Sequence, residues 1–238
     1  MTTPDSARAL DAILADLLGT DAPLGERLAD YAVALRELNG PFAEAVDRLV
    51  ARLIAVGAGH AAPEIGEGMP EFLLPSDEGH LVSLTELLEG GPVVIAFRRG
   101  HWCPYCQIAT DGLARMQTAA QSLGAQVVAI TPDREHFTKE LKSITSARFP
   151  ILTDMDNGYA LSLGLAISVG EEMRTFMSTR GRDLATYQGN EAWLLPIPAT
   201  FVLDRQGVIR MRHVDPDYRV RARIEDIVAA LRELAGDS

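Results

Sequence analysis

The sequence predicts a layered α/β domain with a mixed central sheet flanked by helices, carried behind a helical extension over residues 1–60. Three observations predict it. Apolar residues recur at helical spacing before residue 57, then give way after residue 70 to short apolar runs alternating with helices. The stretch between them, "GAGHAAPEIGEGMP", holds four glycines and two prolines and reads as a linker. Finally, "PATFVLDRQGVIRMRHV" (198–214) reads as two strands joined by Asp204-Arg205-Gln206-Gly207, a hairpin that rules out an all-parallel sheet.

The elements follow in order. Leu10, Ile13, Leu14, Leu17 and Leu18 form one helical stripe behind the capping candidates Asp5 and Ser6. Leu24, Leu28, Tyr31, Leu35 and Leu38 form a second, ended by Asn39-Gly40. Pro41 suits the first turn of a third helix, with Phe42, Val46, Leu49, Val50, Leu53 and Ile54 on its inner face. Past the linker, "VVIAF" (93–97) reads as a buried strand and "CPYCQIATDGLARMQTAAQSLG" as a helix starting near Cys103. "QVVAITP" (126–132) and "FPILTD" (149–154) are strands around the helix "EHFTKELKSI", and "NGYALSLGL" is a short helix or turn. "RIEDIVAALRELAG" closes the chain as an amphipathic helix. Strand, helix, strand, helix, then hairpin and helix make an α/β domain over residues 61–238. Residues 168–195 are weakly patterned and read as an insertion, partly helical around 171–179.

Composition narrows the function. The formal charge of −11, from 22 basic and 33 acidic residues, argues against a nucleic-acid partner. No run approaches the roughly 18 apolar residues that cross a bilayer, and the segment after Met1 lacks the basic and apolar regions of a signal peptide. The expectation is a cytoplasmic protein without a membrane partner. Five histidines (60, 80, 101, 136, 213) are scattered without metal-ligand spacing, so neither metal nor cofactor is expected.

Both cysteines lie in "AFRRGHWCPYCQIAT" (96–110). A bridge between Cys103 and Cys106 closes too small a loop to serve stability, so chemistry is the better reason for the pair. Cys103 falls where a strand ends and a helix begins, with unpaired N–H groups and the positive end of the helix dipole beside it. Arg98, Arg99 and His101 add positive charge, and Pro104 takes the first helical position. Cys103 is then the attacking thiol. Cys106, one turn inside, is expected to be more buried and less acidic, and to resolve it. A structural zinc site needs four ligands where two cysteines exist, and two inert neighbouring thiols sit poorly beside two arginines and a strand end.

Other candidates have bland readings. "RLAD" and "RELNG" in the second helix read as a solvated face, Met173 and Met177 as core, and His60 and His80 as loop residues. "DPDYRVRAR" (215–223) reads as a solvated loop, with a site rim or subunit contact as the alternative.

From "GEGMPEFLLPSDEGHLVSLTELLEGGPVVIAFRRGHWCPYC" through "FPILTD" and "PATFVLDRQGVI", the chain resembles the AhpC/TSA peroxiredoxin-like proteins over about 65–232. It is most similar to a bacterial subgroup carrying F-x-R-G-x-W-C-P-Y-C, here Phe97 to Cys106, with Leu195 to Ile209 and Asp215 to Tyr218 matching further motifs. The resemblance implies a thioredoxin-like fold. It makes Cys103 the peroxidatic cysteine and Arg99 and Trp102 motif residues, and puts Pro198 where that fold has a cis-proline facing the CxxC. The extension 1–60 becomes a dimerisation element of a homodimer. Two positions depart from the peroxiredoxin P-x-x-x-T-x-x-C pattern, Ala96 for the proline and Gly100 for the threonine, and the family's later arginine would fall near Pro198. The leading expectation is a thiol-dependent peroxidase acting on hydrogen peroxide or organic hydroperoxides. A thioredoxin-like or glutathione donor would recycle it. The alternatives are a thiol–disulfide oxidoreductase with a disulfide substrate and a non-catalytic redox sensor.

Overall fold

The computed structural model describes residues 4–236. Three helices lead: α1 (Pro4–Gly19), α2 (Leu24–Leu38) and α3 (Gly40–Ala55). Asp5 and Ser6 lie in the first turn of α1 rather than ahead of it as caps, and there Asp5 complements the helix dipole. Pro41 sits in the first turn of α3 as the sequence predicts. Ile54 departs from the predicted stripe and is exposed, because the packed face of α3 ends at Leu53.

A hairpin of β1 (Leu73–Pro75) and β2 (Leu81–Ser83) follows. Its Ser83 hydroxyl accepts from the Glu86 N–H and caps α4 (Leu84–Glu89). The chain then alternates through β3 (Val93–Phe97), α5 (Pro104–Ser122), β4 (Gln126–Thr131), α6 (Glu135–Thr145), β5 (Ile151–Thr153) and α7 (Gly158–Ser162). The weakly patterned insertion proves closed at its base. Strands β6 (Ala166–Ser168) and β7 (Leu194–Pro196) pair antiparallel around α8 (Gly170–Ser178) and α9 (Leu184–Gln188). The hairpin of β8 (Ala199–Leu203) and β9 (Ile209–Val214), then α10 (Ile224–Gly236), complete the fold.

The main sheet runs β5-β4-β3-β8-β9. β3, β4 and β5 are parallel, and β8 enters antiparallel to β3, so the sheet is mixed as predicted. All five residues of β3 are buried because both of its faces are covered. Val94 and Ala96 face α5, α6 and α10, while Val93, Ile95 and Phe97 face α4, α7 and the β1 side. This central strand delivers the arginines and cysteines from a rigid base.

The leading helices have no core of their own. Leu10 and Leu14 of α1 and Leu28, Tyr31 and Leu35 of α2 share one cluster with Cys103, Tyr105, Cys106 and Ile108. The predicted linker is likewise tied down, with the Arg212 side chain donating to the carbonyls of Pro63 (2.9 Å) and Gly59 (3.1 Å). Arg27 departs from the solvated-face reading of "RLAD". It is buried and pairs with Asp111 of α5 at 2.5 Å, pinning α2 to the helix that carries the cysteines. Asp111→Ala leaves that guanidinium without its carboxylate and is expected to cost about 3–5 kcal/mol. Arg27→Met should cost less, because Asp111 keeps Arg115 at 2.8 Å. Urea unfolding of both variants checks the order, and equal costs would contradict it.

Candidate redox site

β3 ends at Phe97, and the Arg98 N–H continues its ladder to the Ile130 carbonyl (2.8 Å). The chain then turns through Gly100, whose φ of +146° lies in a region that side chains avoid. It enters α5 with Cys103 as the N-cap. The Cys103 sulfur accepts no capping bond from the helix and is left for other chemistry. Cys103 and Cys106 are both buried, free thiols.

Three buried arginines surround them. The Arg99 Nη1 lies 3.9 Å from the Cys103 sulfur, and the Arg99 backbone N–H donates to the Cys106 sulfur at 3.3 Å. Arg221 Nη2 approaches Cys106 at 3.7 Å. Arg98 is fixed beside them by Thr110 Oγ1 (3.2 Å) and its neighbour's carbonyl. Burial, then repulsion from Arg221, pulls the Arg98 guanidinium down to about 10. Burial also opposes the charge on Arg99, yet the sulfurs and Tyr218 outweigh it and hold that guanidinium above its ordinary value. Its face lies 3.7 Å from the Tyr218 ring centre and 5.2 Å from that of Trp102, a cation–π contact with each.

This arrangement corrects the expected order of acidity. Cys103 is raised well above the ordinary thiol value by burial, by its hydrogen bond to Cys106 and by the charge on that sulfur. Burial opposes ionisation of Cys106 too, but the bond from Cys103 and the charges of Arg221, Arg98 and Arg99 bring it well below that value. Depth in the helix alone predicts the reverse. The deciding charges come from two separated segments, only one of which lies beside the cysteines in sequence. The two thiols titrate together, with the arginines drawing the first negative charge toward the Cys106 side.

The reduced protein should accordingly lose one thiol proton below the ordinary thiol range and the other above it, read from thiolate absorbance in the ultraviolet. Stability follows by linkage. The depressed Cys106 contributes stability that disappears as pH falls through its folded value. The raised Cys103 contributes stability that disappears as pH rises through its own. The reduced fold is therefore most stable between the two steps, and a single unperturbed two-proton titration would contradict the assignment.

A cavity of about 380 Å³ opens onto Cys103, Arg99, Trp102 and Tyr218, while Cys106 lies behind that wall. Residues of α1, α2, α3 and α8 cover it. Tyr105 meets Tyr31 and Tyr218 edge-on, at 5.3 and 5.5 Å between ring centres. Arg182 of the insertion donates to the Trp102 carbonyl and stands 5.8 Å from its ring. Met173 and Met177 are buried as the sequence predicts, in the cluster beside the cavity.

Among the residues singled out in the sequence, Cys103, Cys106, Arg99 and Trp102 come together here. Pro198 is buried at the start of β8, and the register pairing Ala96 with Thr200 carries it to the end of β3 where the arginines emerge. Its bond to Ile197 is trans, as are all described peptide bonds, in contrast to the expected cis-proline. The Ile197 N–H is engaged by the Leu165 carbonyl at 2.7 Å, and the chain passes directly from β7 into β8. His101 turns to Asp133 instead of the sulfurs. Its Nδ1 and backbone N lie 2.8 and 2.6 Å from Asp133 Oδ2, and its ring stacks on Phe137. Burial keeps the Asp133 carboxyl above its usual value despite His101. Asp133 escapes prediction, while Tyr218 and Arg221 belong to 215–223, the segment whose alternative reading is a site rim. The signals there are the concentration of charge around one tyrosine and the Asp215 to Tyr218 motif, in a segment that folds over the site and buries both Tyr218 and Arg221.

A mixed sheet with helices on both faces, bearing a CxxC where a central strand meets its helix, defines a thioredoxin-like redox protein. The model of the AhpC/TSA family matches residues 65–212, and the chain belongs to that family. It is 26% identical over 168 residues to the putative peroxiredoxin bcp of Coxiella burnetii, covering 71% of this chain and 98% of that one. The fold is that of peroxidoxin BcpB from Mycobacterium tuberculosis (TM-score 0.56, 20% identity, 72% of this chain and 97% of that one). It is equally that of a cysteine-to-serine mutant of peroxiredoxin 6 from Arenicola marina (TM-score 0.56, 16% identity, 72% and 73% covered). No helix among the described residues is long and apolar enough to cross a membrane.

Proposed function

We propose that the chain is a thiol-dependent peroxidase of the subgroup marked by Phe97 to Cys106. The observation that carries this reading is the placement of Cys103 at the wall of a covered cavity, backed by Cys106 and three arginines. As peroxide enters, the Cys103 proton passes to Cys106, and the Cys103 thiolate attacks the terminal oxygen. The S–O bond forms as O–O breaks, and the departing oxygen takes the proton from Cys106. Arg99 stabilises the charge developing on that oxygen. The Cys106 thiolate then attacks the Cys103 sulfenic acid, closing the disulfide and expelling hydroxide to solvent, so that the monoanionic pair and one hydroperoxide become the disulfide, one alcohol (water from hydrogen peroxide) and one hydroxide.

A thioredoxin-type dithiol recycles the disulfide once the covering helices have moved. The alternative activity, attack by reduced Cys103 on a protein disulfide, needs the same movement, because Cys103 is only 1% exposed. Stopped-flow tryptophan fluorescence of the reduced protein mixed with hydrogen peroxide tests the reading, with Trp102 as the reporter beside Cys103. Oxidation orders of magnitude faster than a free thiol, with loss of both titratable thiols, is expected. Oxidation no faster than a free thiol would remove the peroxidase assignment.

A further inference from the structure

Asp133 stands behind the cysteine turn and does not line the cavity. It lies between β4 and α6, is fully buried, and is fixed through its backbone: its N–H donates to Thr131 Oγ1 (3.4 Å) and its carbonyl accepts from Thr153 Oγ1 (2.8 Å). One carboxylate oxygen, Oδ2, meets both the backbone N–H and the Nδ1 of His101. The other, Oδ1, is equally buried, and no protein group among the described residues donates to it. A buried carboxylate oxygen without a partner is costly, so Oδ1 calls for a donor.

The Trp102 indole N–H is in the complementary condition. It is buried and meets no protein acceptor among the described residues. Both atoms face one point, because a β-carbon on Gly100 would overlap the indole nitrogen and stand 2.8 Å from Asp133 Oδ1. Gly100 leaves that side of the turn open, so donor and acceptor face each other across its α-carbon. The indole also matters to the sulfur. Its ring centre lies 5.2 Å from the Arg99 guanidinium, which reaches the Cys103 sulfur at 3.9 Å. The tilt of the ring therefore sets where that charge stands.

We infer that Asp133 is a positioning residue for the reaction of Cys103: its Oδ1 takes up the Trp102 indole N–H, directly or through one water, and so holds the ring that seats Arg99 beside the sulfur. One carboxylate then ties down two successive residues of the turn, His101 through Oδ2 and Trp102 through Oδ1. The link also gives a second reason for glycine at position 100, since any side chain there would stand between the two groups. The inference rests on the peroxidase reading for its rate measurement, and its spectroscopic measurement is independent of turnover.

Asp133→Asn is the informative substitution. An amide has one oxygen, and keeping that oxygen on the two His101 groups turns the amide nitrogen toward the indole N–H, donor against donor. The second-order rate of Cys103 oxidation by hydrogen peroxide, followed by mass spectrometry of quenched samples, is expected to fall about ten- to a hundredfold in Asp133→Asn. In the Trp102→Phe background the same substitution should lower the rate by no more than about twofold, because the group it acts through is gone. An equal loss in both backgrounds, or no loss in the first, would overturn the inference. Unfolding midpoints show whether the variants fold. Proton–nitrogen NMR of the reduced wild-type protein does not depend on a variant at Asp133 folding. The Trp102 indole signal, identified by its absence from Trp102→Phe protein, is expected at the downfield position of a bonded N–H and should move upfield in Asp133→Asn. An unbonded position in the wild type would overturn the link. If wild-type protein oxidises no faster than a free thiol, the peroxidase reading fails while the indole signal still decides the link.

Discussion

Cys103→Ser is expected to reduce peroxide turnover on the order of a thousandfold or more, the scale on which enzymes respond to loss of a nucleophile. The serine hydroxyl keeps the size of the side chain but supplies no thiolate to attack the O–O bond. Cys106→Ser should behave differently, and the difference is diagnostic. With Cys106 gone, Cys103 loses the neighbour whose hydrogen bond and charge oppose its ionisation and keeps Arg99 and Arg221, which favour its thiolate. The first oxidation is then retained, and one equivalent of sulfenic acid accumulates because nothing resolves it. Mass spectrometry after a dimedone trap reads this directly. Full peroxide consumption by Cys103→Ser protein would sink the mechanism, as would the absence of sulfenic acid in Cys106→Ser.

The second large effect belongs to Gly100→Ala. A β-carbon at this position would stand 2.8 Å from Asp133 Oδ1 and would overlap the Trp102 indole nitrogen. Neither neighbour gives way easily. Asp133 is held by His101, and Trp102 lies against Arg99 and Arg182. The φ of +146° adds backbone strain of about 1–3 kcal/mol for a residue with a side chain. Both lower stability in urea and a rate of Cys103 oxidation lowered by at least about tenfold are expected, since small displacements at a reacting centre are costly. A variant with native stability and native rate would show that this turn does not position the site. The glycine occupies the place where related peroxidases carry threonine, so the same measurement asks whether the turn itself has replaced that hydroxyl.

Much of this architecture was legible in the chain because its signals are local. "VVIAF", the Pro104 helix start and the Asp204–Gly207 turn each read from a few adjacent residues, and β3, α5 and the β8–β9 hairpin fall where predicted. The site was half legible for the same reason, since Arg98, Arg99, Trp102 and both cysteines share ten positions. What could not be read depends on distant segments meeting. Arg221 and Tyr218 look like parts of a solvated loop until the 215–223 segment folds across the sulfurs. Arg27 looks like a surface charge until Asp111 arrives from α5. The insertion shows only its helix around 171–179, which α8 matches, because the two strands that close its base are each three residues long. The order of thiol acidity failed similarly, being set by a charge balance assembled in space.

The three arginines also set the electrical scale on which the enzyme works. They favour the reduced pair, which carries a negative charge, over a disulfide, which carries none. Each tenfold preference for the reduced form raises the reduction potential of the couple by about 30 mV. The three charges therefore shift the couple in the oxidising direction, the direction that helps a more reducing dithiol to pass electrons to the disulfide. The cluster that readies the sulfurs for peroxide thus also makes the spent enzyme easy to recharge.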